Sequence, residues 1–289
     1  MAKTTNLKLR TGTAEDAPVL GQINYDAFKS IADQHNFPPD FPSVEVAIGA
    51  VTGMLRHPEI YCVVAEFDGR VAGSNFMDER SPISAIGPIS VDPAVQNRSL
   101  GRHLMLDVLE RAQRRGAPGI RLVQTAYHNR SLSLYTKLGF DTREPLSVMQ
   151  GNPLNLRIPG YDVRRAVNAD LDKCNALCER VHGFRRAREL ADAISAGSAT
   201  VVERLGRVTG YASALAFFGH AVAESNDDLK ALIGAAQEFM GPGILVPTRN
   251  GELMRWCYAN GLRLVQQMHL MTIGLYNEPQ GAYLPSILM

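Results

Sequence analysis

Apolar and polar residues follow two different periods along the first 150 residues. Short runs in which they alternate predict β-strands, and longer runs with apolar residues three or four apart predict amphipathic helices. The predicted order is a strand at 7–11, helices at 14–30 and 43–56, a β-hairpin at 60–78, a strand at 83–91, a helix at 99–115, a strand at 119–126, a helix at 129–138 and a final strand pair. This order predicts a fold of the α/β class. Its sheet would be mixed, as in α+β proteins, and would carry helices on both faces.

The second half of the chain repeats this pattern. "LKLRTGTAEDAPVL" aligns with "YDVRRAVNADLDKC", so that Arg10 meets Arg164 and Asp16 meets Asp170. Further along, "VVAEFDGRVAG" aligns with "TVVERLGRVTG", and "LYTKLGF" aligns with "WCYANGL". Three matches in one order predict two copies of one fold.

The segment "QGNPLNLRIPG" has the proline and glycine content of a linker between the copies. We therefore expect a first domain at 1–149, a linker at 150–160 and a second domain at 161–289.

Composition and charge exclude several functional classes. The 289 residues are 45% hydrophobic and 20% charged with a net charge of +1, so no overall field favours nucleic acid or an acidic membrane. No apolar run approaches the roughly 20 residues that span a bilayer, and "MAKTTNLKLR" lacks the apolar stretch of a secretory signal. We therefore expect a cytoplasmic protein.

The cysteines do not predict a metal site. Cys174, Cys178 and His182 are spaced four residues apart on a predicted helix. The outer pair would then lie about 12 Å apart, too far for one tetrahedral zinc ion. We expect no metal.

The segment "VDPAVQNRSLGRHL", residues 91–104, leads from a predicted strand into a helix. Free backbone N–H groups and the positive end of the helix dipole make such a helix start an anion site, to which Arg98 and Arg102 add charge. A pyrophosphate is the ligand that this loop favours.

A second segment, "HNRSLSLYTKLGF" at 128–140, follows at a suitable distance. Together, V-x-P-x-x-Q-x-x-S-x-G and S-L-x-L-Y-x-K-L-G-F resemble the two signature motifs of the GNAT superfamily of acyl-CoA-dependent N-acyltransferases. The resemblance covers 7 to about 150, and the repeat makes the chain look like a tandem GNAT protein. It implies two GNAT-like domains, each with a mixed, mostly antiparallel sheet.

The resemblance also implies which residues bind acetyl-CoA, which would be the acyl donor. Main-chain groups of Ile89 and Val91 would hold the acyl-CoA, and a main-chain N–H near Val91 would polarise the acyl carbonyl. Asn129 stands next to the position where the family often has an asparagine, and it is included among the cofactor-binding residues. The pyrophosphate would be bound by the loop formed by Gln96, Asn97, Arg98, Ser99, Leu100, Gly101 and Arg102.

Tyr135 occupies the position of a tyrosine that often acts as general acid toward the departing CoA thiolate in this family. His128 stands where the family often has asparagine, and we expect it to be either a positional substitute or a catalytic group. Ser99 replaces a usual glycine. Its amide can still bind phosphate if the backbone there needs no positive φ.

The general base is not assigned by the resemblance, because the strand at 83–91 contains no carboxylate. Nearby titratable residues are the candidates, although each is also a typical surface residue. They are Asp33, His35, Asp78 and Glu79.

The second copy lacks V-x-P-x-x-Q and the glycine-rich turn. Asp227 and Asp228 occupy its predicted helix start, where carboxylates would repel a phosphate. Cys257 takes the place of Tyr135, while Asn250 keeps the asparagine. We therefore expect this copy to have lost CoA binding and to shape the acceptor pocket, to support the first copy or to bind a regulator.

The leading hypothesis is an acetyltransferase that moves acetyl from acetyl-CoA to an amine of a small molecule or a peptide by direct attack in a ternary complex. The alternative is an acyl-CoA-binding sensor without acceptor turnover. We expect no nucleic-acid or membrane partner, and we allow for a homodimer.

Overall fold

The computed structural model describes residues 6–288. It forms two compact units, of which the first holds the residues up to 79 together with 83–121, and the second holds 80–82 and the chain from 122 onwards. The division predicted at 150–160 stays a prediction.

The first unit is a mixed, mostly antiparallel sheet with helices on both faces. Strands β1 to β4 are paired in order and antiparallel, and the turn between β2 and β3 has two left-handed residues, Asp68 (φ 50°) and Gly69 (φ 79°). This is the turn that the right-handed twist of a hairpin favours. The elements are β1 (Leu7–Thr11), α1 (Ala17–His35), α2 (Val44–Arg56), β2 (Ile60–Phe67), β3 (Arg70–Asp78), β4 (Ser84–Val91), α3 (Leu100–Arg114) and β5 (Gly119–Thr125), the last of which ends in the second unit.

Side-chain alternation along β3 assigns the helices to the two faces. Phe76 is buried in one cluster with Leu20 of α1 and Val51 of α2. Its neighbour Asn75 points to the other face, where its Nδ2 donates to the carbonyl oxygen of Leu104 in α3 at 3.4 Å. The order and type of these elements confirm the predicted fold class.

The second unit contains two sheets. One is antiparallel with the order β13-β10-β9-β8-β7, and the other contains the end of β5 followed by β12, β6 and β11. The elements are α4 (Asn129–Lys137), β6 (Asp141–Gln150), β7 (Asp162–Arg165), α5 (Leu171–His182), α6 (Ala187–Ser195), β8 (Thr200–Arg204), β9 (Arg207–Ala212), β10 (Ala221–Ala223), α7 (Asn226–Ala235), β11 (Ile244–Pro247), α8 (Gly251–Ala259), β12 (Arg263–Gly274) and β13 (Ala282–Leu284).

The strand pair predicted at the end of the first copy is wrong. Only β6 follows α4 there, and its partner is β12, which comes from the end of the second copy and pairs with it from Arg263 to Thr272. The amide of Ala126, just after β5, donates to Gln267 of β12 at 3.0 Å. Strand β12 of the second copy therefore lies between β5 and β6 of the first, which a local pattern does not predict.

The repeat predicted from the sequence is visible as one recurring set of contacts. Arg10 binds both carboxylate oxygens of Asp16 at 2.7 Å, and Arg164 binds those of Asp170 at 2.7 and 2.8 Å. Both aspartates also accept a main-chain N–H from three residues earlier, at 2.8 and 2.9 Å. The aligned pairs thus fasten the first strand of each copy to the start of the following helix.

Within residues 6–288, no helix is long and apolar enough to cross a membrane. The same residues contain no group of three or more His, Cys, Asp or Glu side chains that could hold a metal ion. Cys174 and Cys178 are buried thiols of the core beneath α5.

Candidate active site

The loop between β4 and α3 is held in a fixed conformation by its own side chains. Asp92 accepts the amide of Ala94 at 2.9 Å, and Gln96 Nε2 donates to the carbonyl oxygen of Val91 at 3.2 Å. Two residues, Asn97 (φ 66°) and Ser99 (φ 64°), are left-handed. Left-handed residues in such a loop turn successive N–H groups to one side, which makes a concave anion site.

Ser99 is the N-cap of α3, with φ 64° and ψ 7°. The Ser99 side chain makes no capping hydrogen bond. The Ser99 carbonyl oxygen accepts from the His103 amide at 3.2 Å and from Nδ1 of the His103 ring at 2.9 Å. The loop therefore does require positive φ at the serine. Serine would serve as well as glycine only if the backbone needed no positive φ at this position. Because φ is positive here, we expect Ser99 to be strained.

The first turn of α3 presents amides and positive charge. Leu100 is buried against Phe67 and Ala72 and anchors the helix start. The guanidinium carbon of Arg98 lies 5.3 Å from the centre of the Phe67 ring, and both Arg98 and Arg102 are exposed. Gly101 follows Leu100 in the same turn, so the predicted loop residues are contiguous at the start of α3; that they bind an anion stays a prediction.

Strand β4 offers main-chain groups beside this loop. Its pairing with β5 is confined to Ser84 with Ile120 and Ala85 with Arg121. Within the described residues, β4 is paired only with β3 from Ile86 onward, where a register shift interrupts the ladder. Ile89 and Val91, the predicted acyl-CoA contacts, lie in this singly paired part.

Tyr135 lies in the second unit, in the last turns of α4. It is 7% exposed, and its ring packs edge-on against Phe140 with centroids 6.1 Å apart. Burial raises the pKa of the Tyr135 hydroxyl well above its usual range. The phenol is therefore protonated at neutral pH, as a general acid must be.

His128 is the N-cap of α4, but its side chain does not cap the helix. Instead, its carbonyl oxygen accepts from Gln124 Nε2 and from the hydroxyl of Ser131, each at 3.0 Å. In the second copy, the aligned Asn250 does cap its helix, because its Oδ1 accepts the amide of Leu253 at 3.2 Å. The role of the His128 ring, like that of the exposed Asn129, stays a prediction.

The base candidates named from sequence are mostly engaged elsewhere. Glu79 is bound by Arg111 through both oxygens, at 2.5 and 3.0 Å. Asp33 is exposed and ion-paired with a lysine of its own helix at 2.5 Å, and His35 is exposed with Nδ1 2.9 Å from a carbonyl oxygen of α1. Asp78 is buried at the end of β3. None of these contacts supports a role as general base.

Two polar residues beside α4 were not identified from the sequence. Gln124, at 2% exposure, lies in β5, and its Oε1 is 3.1 Å from Nδ1 of His269 in β12. Burial lowers the pKa of His269. The alternation of "VQQMHLM" indicates only a strand, and no local signal could place it beside a residue 145 positions earlier in the chain.

The second copy has a capping box at the start of α7, the helix that corresponds to α3. Asp228, fully buried in the first turn of α7, accepts from the amide and the hydroxyl of Ser225 at 3.0 and 2.6 Å and from the hydroxyl of Thr209. A carboxylate therefore lies at this helix start, where it would repel a phosphate. At the position of Tyr135, burial raises the pKa of the Cys257 thiol to about 12, so this group is neutral.

Part of the chain matches a known protein family. Residues 25–140 match the family model described as "Acetyltransferase (GNAT) family". A mycothiol acetyltransferase of Nocardia farcinica is 29% identical over 139 residues, which are 46% of this chain and 44% of that protein. A mycothiol acetyltransferase of Thermomonospora curvata is 36% identical over 91 residues, 31% of this chain and 30% of that one. The matches thus span less than half the length of these relatives.

Solved structures extend the likeness of fold to nearly the whole chain. A putative acetyltransferase from Pyrococcus horikoshii has a TM-score of 0.73 at 20% identity and covers 96% of this chain and 94% of its own. A tandem GNAT protein from the clavulanic acid biosynthesis pathway has a TM-score of 0.57 at 14% identity. The match covers 93% of this chain and 98% of that one. At these identities the comparison shows the tandem fold alone.

Proposed function

We propose that this chain, whose residues 25–140 match the family model described as "Acetyltransferase (GNAT) family", transfers an acetyl group from acetyl-CoA to an amine of a small molecule. The observation that carries the proposal is the loop that leads into α3, whose two left-handed residues and two exposed arginines suit a pyrophosphate. The small-molecule acceptor is supported by the curated relatives, which are named mycothiol acetyltransferases. A peptide amine is the other acceptor class.

The family's chemistry assigns a role to several residues of this chain. The loop amides from Gln96 to Arg102 would bind the pyrophosphate, and main-chain groups of Ile89 and Val91 would hold the donor's arm. An N–H near Val91 would stabilise the negative charge that develops on the acyl oxygen.

The transfer itself balances as a direct attack. The neutral amine uses its lone pair to form a C–N bond with the acyl carbon, the C–S bond breaks, and the thiolate leaves with the bonding pair. Tyr135, which is buried and protonated, would give its proton to that thiolate. One proton leaves the amine nitrogen, so a base is also required.

A second candidate function is an acyl-CoA sensor. The strained serine in the loop and the absence of a carboxylate from β4 favour it. A sensor would bind acetyl-CoA tightly and would transfer the acetyl group to no amine. The cytoplasmic location and the homodimer stay predictions under either function.

The test is a turnover assay of the full chain with acetyl-CoA and a panel of amines, including amino sugars, cysteine conjugates and peptides. Release of the CoA thiol is followed together with the mass of the acetylated product. Product formation above the rate of acetyl-CoA hydrolysis supports the transferase. Binding of acetyl-CoA without any product on the whole panel would instead establish the sensor.

A further inference from the structure

Three polar side chains of the first unit have buried oxygen atoms without a hydrogen-bond partner. Among residues 6–288, Oδ1 of Asn24 in α1, Oγ of Ser74 in β3 and Oγ of Ser90 in β4 are bonded to no other group. All three residues are at most 3% exposed. Buried polar groups are nearly always hydrogen-bonded, because an unpaired one costs the free energy of its lost contact with water. These three atoms therefore require an explanation.

The two serines lie on one face of the sheet. Ser74 and Ser90 are register partners on antiparallel strands, so their side chains point to the same face, with Cβ atoms about 4.5–5.5 Å apart. Asn75, next to Ser74, points to the opposite face and donates to a carbonyl oxygen of α3. Val91, next to Ser90, also packs on that opposite face, against the cluster of Leu100. Because neighbours along a strand alternate, both serines face α1.

Helix α1 brings Asn24 over the same part of the sheet. Leu20, one turn earlier on the same face of the helix, is buried in one cluster with Phe76 of β3. The helix also packs on β4 and on Pro93–Val95, the turn that follows β4. It therefore runs from Phe76 toward the end of β4, and Asn24 lies one turn farther along this path, above the two serines.

The three oxygen atoms suit a group that donates hydrogen bonds. An amide oxygen only accepts, and a serine hydroxyl can accept as well as donate. The N–H groups of a primary amine match this set. None of the three residues carries a charge, so the set adds nothing that raises the pKa of a bound amine, whereas burial disfavours the ammonium form. The set therefore favours a neutral primary amine, which is the form that has a lone pair for attack.

We propose that Asn24, Ser74 and Ser90 form the subsite that binds the nitrogen of the acceptor amine and orients it for attack. This inference rests on the proposed acetyltransferase function, in which main-chain groups of Ile89 and Val91 hold the donor. Ser90 lies between those two residues, and successive residues of a strand are about 3.3 Å apart. An amine held at Ser90 is thus within about one residue of the acyl carbonyl. An ammonium ion would give one proton to water before it enters, and the oxygen atoms then accept from the remaining N–H groups.

This assignment explains why the protein keeps buried polar atoms without a partner. They destabilise the folded protein when no amine is bound, and an amine that supplies the missing hydrogen bonds offsets that cost. Removal of one hydroxyl should therefore have opposite effects on stability and on acceptor binding. A role in core packing alone does not predict this opposition.

The test compares Ser74→Ala and Ser90→Ala with wild type, each as the full chain. Thermal melts without an amine should show Tm raised by about 2 °C in each variant, because an unpaired buried hydroxyl is removed. The KM should be measured for the best acceptor among amino sugars, cysteine conjugates and peptides. It should rise about three- to tenfold, with kcat changed less than about threefold. The Kd for acetyl-CoA should change less than about twofold.

Ser84→Ala is the matched control on the same strand. Ser84 is also fully buried, but its hydroxyl accepts from Nη1 of Arg115 at 2.9 Å. Loss of this hydrogen bond should lower Tm and leave the KM for the amine unchanged. The contrast between the serines separates the effect of a missing partner from the effect of burial.

The outcomes separate the subsite from the proposed function. If wild type acetylates an amine and neither variant raises KM more than about twofold, the subsite is overturned and the proposed function stands. If Tm falls in Ser74→Ala and Ser90→Ala, their hydroxyls have a permanent partner such as an internal water molecule, and the subsite is again overturned. If wild type acetylates no amine at all, the proposed function fails and the subsite fails with it.

Discussion

Replacing Ser99 by glycine is expected to stabilise the protein without increasing its affinity for acetyl-CoA. Ser99 is held at φ 64° and ψ 7° at the start of α3, and its side chain makes no capping bond. A residue other than glycine pays about 1–2 kcal/mol for the left-handed conformation. Glycine avoids that cost but loses more backbone entropy on folding, about 0.5–1 kcal/mol.

The difference is a net stabilisation of about 0.5–1 kcal/mol. For a chain of this size, that corresponds to a rise in Tm of about 1–3 °C. The strained φ belongs to the folded loop itself, so we expect its cost to fall on folding rather than on binding. The Kd for acetyl-CoA should therefore change less than about threefold.

Thermal melts and isothermal titration with acetyl-CoA check these values. Ser99→Ala is the matched control, because it keeps the strained φ and removes only an exposed hydroxyl; its stability should stay within about 0.5 kcal/mol of wild type. Asn97→Gly, at φ 66°, should gain less than Ser99→Gly, since asparagine tolerates the left-handed region better than serine.

One combination of results would refute this reasoning. If Ser99→Gly left Tm unchanged but bound acetyl-CoA tenfold more tightly or better, the serine would not be left-handed in the free protein. The loop would then reach its binding conformation only with ligand, at a cost of at least about 1.4 kcal/mol.

Three further predictions concern the acid, the loop charge and the repeat. Tyr135→Phe should lower kcat about 100-fold with an unchanged Kd for acetyl-CoA, measured by turnover and titration; an unchanged kcat would remove the tyrosine from the mechanism. Arg102→Ala should raise the Kd for acetyl-CoA about fivefold at low salt and by less at high salt. The control Arg114→Ala, at the other end of α3, should leave this Kd unchanged. Equal effects of the two variants would argue against a local phosphate contact at Arg102. Asp170→Asn should lower the free energy of unfolding by about 2 kcal/mol at pH 7. The reason is that the hydrogen bonds from Arg164 hold the pKa of this buried carboxyl below its usual range. That stabilisation is present above the unfolded pKa of about 3.9 and is lost as pH falls through the lower folded pKa. Urea unfolding should therefore show the gap between variant and wild type narrowing below about pH 4, and a gap independent of pH would contradict this explanation.

The sequence predicted the element order of the first copy because each element has a local signal. The start of α3 was predicted at 99 and lies at Leu100. The sequence also aligned Arg10 with Arg164 and Asp16 with Asp170, and the structure shows that each copy uses these residues for the same ion pair. These features depend on residues within one turn or one hairpin of each other.

Features that depend on distant pairing were missed. The pairing of β6 with β12 joins residues more than 100 positions apart, and either strand could have paired within its own copy by pattern alone. The contact between Gln124 and His269 follows from that pairing, so the sequence could not predict it. The left-handed φ of Ser99 was left open, since serine has no strong preference that would reveal it.

The central claim is that only the first copy binds acetyl-CoA and that it does so through the loop before α3. Isothermal titration of the full chain with acetyl-CoA tests it most directly, with Arg98→Ala/Arg102→Ala as the loop variant and Asp228→Asn as the variant of the second copy. We predict one site per chain, with affinity at least about tenfold weaker in the loop variant and unchanged in Asp228→Asn. Two sites per chain, or a single site that is insensitive to the loop variant, would contradict the claim.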